Sequence, residues 1–234
     1  MKTLDPDLLL RAYSIGVFPM SDSREANDLY WVEPKHRAIL PLNSFHLSRT
    51  LRKTLKSDRF KVTRDRAFRR IVRLCADRTD TWINAEIEAS YIRLHDAGRA
   101  HSIDVWHDGE LAGGLYGVRL GAAFFGESMV SLRPDASKVA LAWLVARLIV
   151  GGFQLLDCQF MTPHLKSLGA VEIDQKDYLV LLDSALGGAA AGGAGAASAG
   201  PVEFEALDRL LAGRAGAGVP PPGWVIAQLL GQTS

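Results

Sequence analysis

Residues 136–150, Ala-Ser-Lys-Val-Ala-Leu-Ala-Trp-Leu-Val-Ala-Arg-Leu-Ile-Val, are apolar nearly all round, with Asp135 before them and Gly151-Gly152 after them. An N-cap residue type ahead of the run and a glycine stop behind it predict an α-helix. A helix without a polar face has to be buried between other elements. Upstream, Ser102–His107 alternates in polarity, Asp108-Gly109 is a hairpin turn signal, and 110–118 and 122–127 read as two further strands. Downstream, 153–157 reads as another strand. The predicted fold is therefore α+β, with a mixed, mostly antiparallel sheet flanked by helices.

The chemistry-bearing residues cluster in the same stretch. Asp157 and Gln159 are two apart, so on a strand a carboxylate and an amide leave one face side by side. Glu127, in Gly126-Glu-Ser-Met129, is followed by a segment with no glycine-rich turn of the kind that offers backbone N–H groups to a pyrophosphate. The order strand, strand, strand, helix, strand resembles the GNAT acyltransferase fold. The missing turn argues against coenzyme A as the donor.

Net charge is only +1, yet residues 35–73 hold 13 Lys or Arg against 2 Asp or Glu. Such a split predicts a polyanionic partner at one end of the molecule. Arg49, Lys53 and Lys56 fall at i, i+4 and i+7 on one helical stripe, with Arg52 beside them.

The rest of the chain reads more coarsely. A short helix is predicted over 4–14, with Asp5 as cap and Pro6 in its first turn, then a loop over 16–34 pinned by Phe18, Tyr30 and Trp31. A helix over 85–97 starts after Asn84 and stops at Gly98. Trp82 and Tyr91 read from the residues alone as core aromatics, and His101 and His164 as structural histidines. Residues 187–200 contain only Gly, Ala and Ser, a flexible linker, and a short helix is expected over 202–211. The expected division is a basic N-terminal lobe over 1–62, a GNAT-like domain over 63–186, the linker, and a C-terminal extension over 201–234 without assigned chemistry. Cys75 and Cys158 give neither a disulfide framework nor zinc-ligand spacing. No cofactor or metal is expected. With no secretory leader and no apolar run long enough for a bilayer, a soluble, cytoplasmic monomer is expected.

Ile15-Gly-Val-Phe-Pro19, Tyr30-Trp-Val-Glu-Pro34, Arg37-Ala-Ile-Leu40, Phe45-His-Leu-Ser-Arg49, Thr81-Trp-Ile83, His101-Ser-Ile103, Gly113-Gly-Leu-Tyr-Gly117, Gly126-Glu-Ser-Met129, Ala136-Ser-Lys138, Asp157-Cys-Gln159 and Ser167-Leu-Gly-Ala170 follow one another in order. That series resembles the leucyl/phenylalanyl-tRNA–protein transferases, over residues 12–182. The resemblance implies transfer of Leu or Phe, and less well Met, from aminoacyl-tRNA to the α-amine of proteins beginning with Arg or Lys, which marks them for degradation. It implies that Asp157 and Gln159 are catalytic, and that Arg49, Arg52, Lys53 and Lys56 contact tRNA. It further implies a pocket for the donor amino acid and terminal adenosine built by Trp82, Tyr91, Leu115, Phe124, Glu127, Met129, Ser131, Leu144 and Leu156.

The donor ester is already activated and the attacking α-amine has a reference pKa near ~8, so the reaction needs positioning, a proton acceptor and oxyanion stabilisation. Gln159 is expected to accept a hydrogen bond from the amine through its side-chain carbonyl. Asp157 then either orients that amide or takes the proton itself, and the terminal adenosine of the tRNA is a further candidate acceptor. Three other functions compete: a leucyl transferase acting on N-terminal Asp or Glu, an acetyl-CoA-dependent N-acetyltransferase, and a non-catalytic RNA-binding module.

Overall fold

The computed structural model describes residues 4–188, 202–213 and 222–231. In chain order the elements are α1 (Pro6–Ser14), β1 (Phe18–Met20), β2 (Tyr30–Val32), β3 (His36–Ile39), a 3-10 turn (Leu42–Ser44), α2 (Arg49–Lys56), β4 (Lys61–Arg64), α3 (Phe68–Ala76), α4 (Ala85–Asp96), β5 (Ala100–His107), β6 (Glu110–Leu120), β7 (Ala123–Ser131), α5 (Ala136–Val150), β8 (Leu155–Gln159), α6 (Pro163–Ser167), β9 (Val171–Asp174), α7 (Gln175–Ala185), α8 (Ala206–Ala212) and α9 (Pro222–Leu229).

Local chemistry sets most of these boundaries. Asp108 and Gly109 both sit at positive φ, 51° and 81°, which suits the two-residue hairpin turn joining β5 to β6. The Asn84 side chain accepts from the Ile87 amide at 2.9 Å and opens α4, Asp5 does the same for Asp7 in α1, and Ser48 for Leu51 in α2. Asp135 departs from the expected capping role. Its backbone is left-handed, it makes no capping bond, and its carboxylate pairs with Arg59 and Lys138 instead.

Seven strands form one sheet in the order β4-β5-β6-β7-β8-β3-β9. Only β7 and β8 pair in parallel, with α5 as the crossover between them, and the other pairs are antiparallel. One face carries α5, buried over nearly its whole length. The other face packs on α3, α4 and α1 through Ile71, Tyr91, Tyr13 and Tyr116.

Three features depart from the sequence reading. The expected loop over 16–34 contains a two-stranded ribbon, β1 against β2. Strands β3 and β4 lie toward either side of the main sheet, so residues 36–64 contribute to the same layer as the part expected to be GNAT-like, and position 62/63 falls inside β4. Both strands have only four residues and pair with partners distant in sequence, which leaves periodicity nothing to detect.

The third departure is at the C-terminal end. Phe204 is fully buried and stacks on Phe124 at 5.5 Å. Arg147 donates to the Phe204 carbonyl at 2.7 Å and pairs with Asp208. Leu207, Ile226 and Leu230 join the same core, so the extension completes the packing around α5. The helix expected over 202–211 begins at Ala206. Of the expected linker, residues 189–200 lie outside the described residues. Among the described residues no helix is long and apolar enough to cross a membrane.

Candidate active site

The pairing of β6 with β7 slips by one residue at the centre of the sheet. Tyr116 faces Ser128 and Gly117 faces Gly126, so Glu127 is the extra residue of a β-bulge. The bulge reverses the alternation along β7. Phe124 and Met129, five residues apart, therefore both belong to the α5 side, while Glu127 turns toward the tyrosines of α1 and α4.

Glu127 accepts from Tyr13 at 2.6 Å, from Tyr91 at 2.7 Å and from the Gln159 side-chain amide at 3.0 Å. Burial raises its carboxyl pKa to about 7, only partly offset by those three hydrogen bonds. Burial and the neighbouring carboxylate also hold both phenols well above their usual pKa, so they stay neutral donors.

Asp157 is tied down from every side. Arg37 reaches its two oxygens at 3.0, 3.1 and 2.6 Å, Tyr178 donates at 2.7 Å, and the Gln159 backbone amide donates at 2.7 Å. Arg37 itself lies between the rings of Phe18 and Tyr178, 4.7 and 4.5 Å from their centroids. Asp157 has no exposed surface and Arg37 is 1 % exposed. Such a pair, with its remaining acceptor sites filled, is a fixed strut. Asp157 therefore orients the backbone of Gln159 and has no free lone pair for a substrate proton.

Gln159 ends β8 at positive φ, 61°, where the pairing with β3 slips between Ala38 and Ile39, so a register irregularity rather than regular strand alternation sets its place beside Asp157. Its Nε2 is committed to Glu127, which leaves the side-chain carbonyl available toward a cavity of about 250 Å³. Leu115, Leu141, Leu144, Leu156 and Met129 supply the apolar wall, and Trp82, Glu127 and Gln159 the polar end.

Of the residues expected in the donor pocket, Trp82, Leu115, Glu127, Met129, Leu144 and Leu156 line this cavity. Three do not. Tyr91 stands behind Glu127 as its hydrogen-bond donor. Phe124 stacks on Phe204 and lies in the core. Ser131 accepts from the Ser137 amide at 3.3 Å and closes the start of α5, where Asp135 does not.

Sequence reading missed Arg37, Tyr13 and Tyr178, which reach the site from β3, α1 and α7. It also missed Arg78, Cys158, Phe160, Thr162 and His164 on the cavity wall. Arg78 bonds the Ser128 hydroxyl at the rim. His164, read as structural, lies on that wall with a buried Nε2 that has no partner among the described residues, and burial lowers its pKa so that it stays neutral near pH 7. His101 is structural as expected, bonded to Asp65 and stacked on Phe204. Burial pushes the Cys158 thiol upward, so it remains protonated and a poor nucleophile.

Arg49, Arg52, Lys53 and Lys56 all lie on α2, over a buried face of Leu51, Thr54 and Leu55. None of the four pairs with a carboxylate among the described residues.

The cavity lies beside the parallel β7/β8 seam, with an apolar wall that ends on the Gln159 amide and the Glu127 carboxyl, an arrangement that suits acyl transfer. Comparisons with known proteins agree. The model of the leucyl/phenylalanyl-tRNA protein transferase family matches residues 39–183, and the model of its N-terminal domain matches residues 2–35. A leucyl/phenylalanyl-tRNA–protein transferase of Rhizorhabdus wittichii is 60% identical, with 100% of both chains covered. One from Novosphingobium aromaticivorans is 51% identical, covering 99% of this chain and 97% of the other. The crystal structure of FemX superposes with a TM-score of 0.50 at 12% identity, covering 72% of this chain and 66% of that one, a likeness of fold. The chain belongs to the leucyl/phenylalanyl-tRNA–protein transferase family and is an aminoacyltransferase.

Proposed function

We propose that this chain transfers Leu or Phe, and less readily Met, from an aminoacyl-tRNA to the α-amine of proteins beginning with Arg or Lys. The observation that carries this reading is the cavity whose apolar wall ends on the free carbonyl of Gln159 and on Glu127. The donor side chain fits among Leu115, Leu144, Leu156 and Met129, and Met129 can adjust to either shape. The ester carbonyl then lies at the polar end. Gln159 accepts a hydrogen bond from the attacking amine and fixes its approach. As the new C–N bond forms the amine becomes cationic, and Glu127, with a carboxyl pKa of about 7, takes its proton. The C–O bond to the tRNA then breaks as the tetrahedral intermediate collapses, and the leaving 3′-oxygen takes the proton from Glu127, which regenerates the carboxylate and frees the tRNA as its 3′-hydroxyl. Near pH 7 the carboxylate and carboxylic acid forms of Glu127 are comparably populated, which suits an acceptor at that pH. Asp157, held by Arg37 and Tyr178, positions Gln159 and takes no proton.

The four cations of α2 hold the tRNA backbone. The enzyme acts in the cytosol as a monomer, and its products enter protein degradation. The acceptor preference for Arg or Lys rests on the family resemblance. The test is transfer of labelled Leu from charged tRNA to peptides beginning with Arg, Lys, Asp, Glu or Ala. Labelled Arg and Lys peptides alone bear the reading out. Labelling confined to Asp and Glu peptides means the related leucyl transferase, and acetylation by acetyl-CoA without tRNA means an N-acetyltransferase.

A further inference from the structure

Helix α9 lies directly on α2. Gly223 makes the approach possible, since a Cβ there would sit 2.1 Å from the Leu55 carbonyl oxygen. Val225, Ile226 and Ala227 turn inward and are buried. Trp224 turns outward, 45 % exposed, and the Lys56 ammonium rests 4.2 Å from its ring centroid. Just past the helix, a Cβ at Gly231 would come within 2.8 Å of the Arg52 guanidinium, so that side chain lies along the backbone. Arg52, Lys56, Trp224, Gln228 and Gly231 with Ala227 enclose a cleft of about 280 Å³.

Chemically this is two cations and an indole plane at one opening. From Arg209 to Ser234 the sequence carries two arginines and no Asp or Glu side chain to offset α2. An exposed aromatic among unpaired cations matches a nucleotide, with its phosphate on the cations and its base on the ring. An acidic peptide would use the cations and leave the indole without a role.

We infer that α9 and α2 together form a nucleotide-binding cleft for the tRNA, in which a base or ribose of an unpaired nucleotide packs on Trp224 while Arg52 and Lys56 hold the adjoining phosphates. The inference rests on the reading of α2 as the tRNA face, and it makes the C-terminal segment a tRNA-binding element.

The test is equilibrium binding of an uncharged leucine tRNA transcript, and separately of poly-glutamate, at several salt concentrations. Wild type, Trp224→Ala, Trp224→Phe and the double variant Lys53→Glu/Lys56→Glu are compared. Trp224→Ala is expected to weaken tRNA binding about tenfold, the scale of losing one stacked base. Its salt dependence stays that of wild type, because every cation remains. Trp224→Phe recovers most of the affinity, and poly-glutamate binding does not respond to either change. Wild-type affinity in Trp224→Ala, no recovery in Trp224→Phe, or equal weakening of poly-glutamate would each overturn the inference while leaving α2 as the tRNA face. Unchanged tRNA binding in the lysine double variant would instead remove the tRNA face on which it rests.

Discussion

Arg37 and Asp157 lie 120 residues apart in the chain, yet their side chains meet at 2.6 Å in the protein interior. The pair joins β3 to β8 and, through the Gln159 amide, fixes the polar end of the cavity. Removing one partner strands a buried charge. Arg37→Met should therefore destabilise by about 3–5 kcal/mol, read as a lower urea midpoint. Arg37→Lys should recover little of it, because an ammonium cannot reproduce the forked contacts with both carboxylate oxygens.

Glu127 predicts a pH dependence of stability. Its folded pKa of about 7 lies above its ordinary value of 4.5, so the native state binds more protons than the unfolded state between those limits. The stabilisation is therefore full below about pH 4.5 and is lost as pH rises through about 7. The whole effect is on the order of 3 kcal/mol. Denaturation from pH 5 to 8 should show this fall in wild type and not in Glu127→Gln.

The same carboxyl governs the rate if it accepts the amine proton. Glu127→Gln should slow transfer at pH 8 by about 100-fold or more and abolish the part of the rise centred near pH 7, leaving only that set by the acceptor amine near ~8, with tRNA affinity unchanged. A rise retained near pH 7 would hand the proton to another group, the tRNA adenosine included.

Gln159→Ala and Asp157→Ala should both cut turnover strongly while tRNA binding stays near wild type. They should differ in stability, with Asp157→Ala also showing the loss expected of a broken buried ion pair. Normal turnover in both variants would remove this pair from the reaction.

The proposed donor pocket makes donor choice a matter of apolar fit. Ile and Val on charged tRNA should be used poorly beside Leu, with Met intermediate, since one methylene of fit is worth about 1–3 kcal/mol. Leu144→Ala should enlarge the cavity and raise use of Phe relative to Leu, measured with both charged tRNAs in competition. Phe124→Leu should leave the ratio unchanged, because Phe124 packs on Phe204.

Lys53→Glu with Lys56→Glu should weaken charged-tRNA binding and make its log–log salt dependence shallower by about two. The Leu-over-Ile ratio should not move. A wild-type slope would place the tRNA elsewhere on the basic surface.

What could be read from the sequence was local. The Asp108-Gly109 turn, the Asn84 cap and the apolar run of α5 each depend on neighbours within a few residues, and each is found as expected. Glu127 could be named as a carboxylate in need of partners. The bulge that supplies them could not, because it is a register slip against β6 and leaves no mark in β7 alone. The same slip explains why Met129 lines the cavity. Phe124, although on the same side, is sealed off by Phe204 from the far end of the chain. Arg37 stood within a recognised motif without a role, since its partner becomes visible only when β3 enters the sheet beside β8. Trp224 carried no signal at all before α9 was seen lying on α2.

The contact between α9 and α2 also fixes an order of events during synthesis. Leu51 and Leu55 leave the ribosome long before Ile226 and Ala227, which join the same core from α9. Until then the nascent chain presents an apolar strip directly beneath its most basic helix, a combination that favours unwanted contacts with the surrounding RNA and with other emerging chains. The basic surface becomes complete only when its late-made lid arrives.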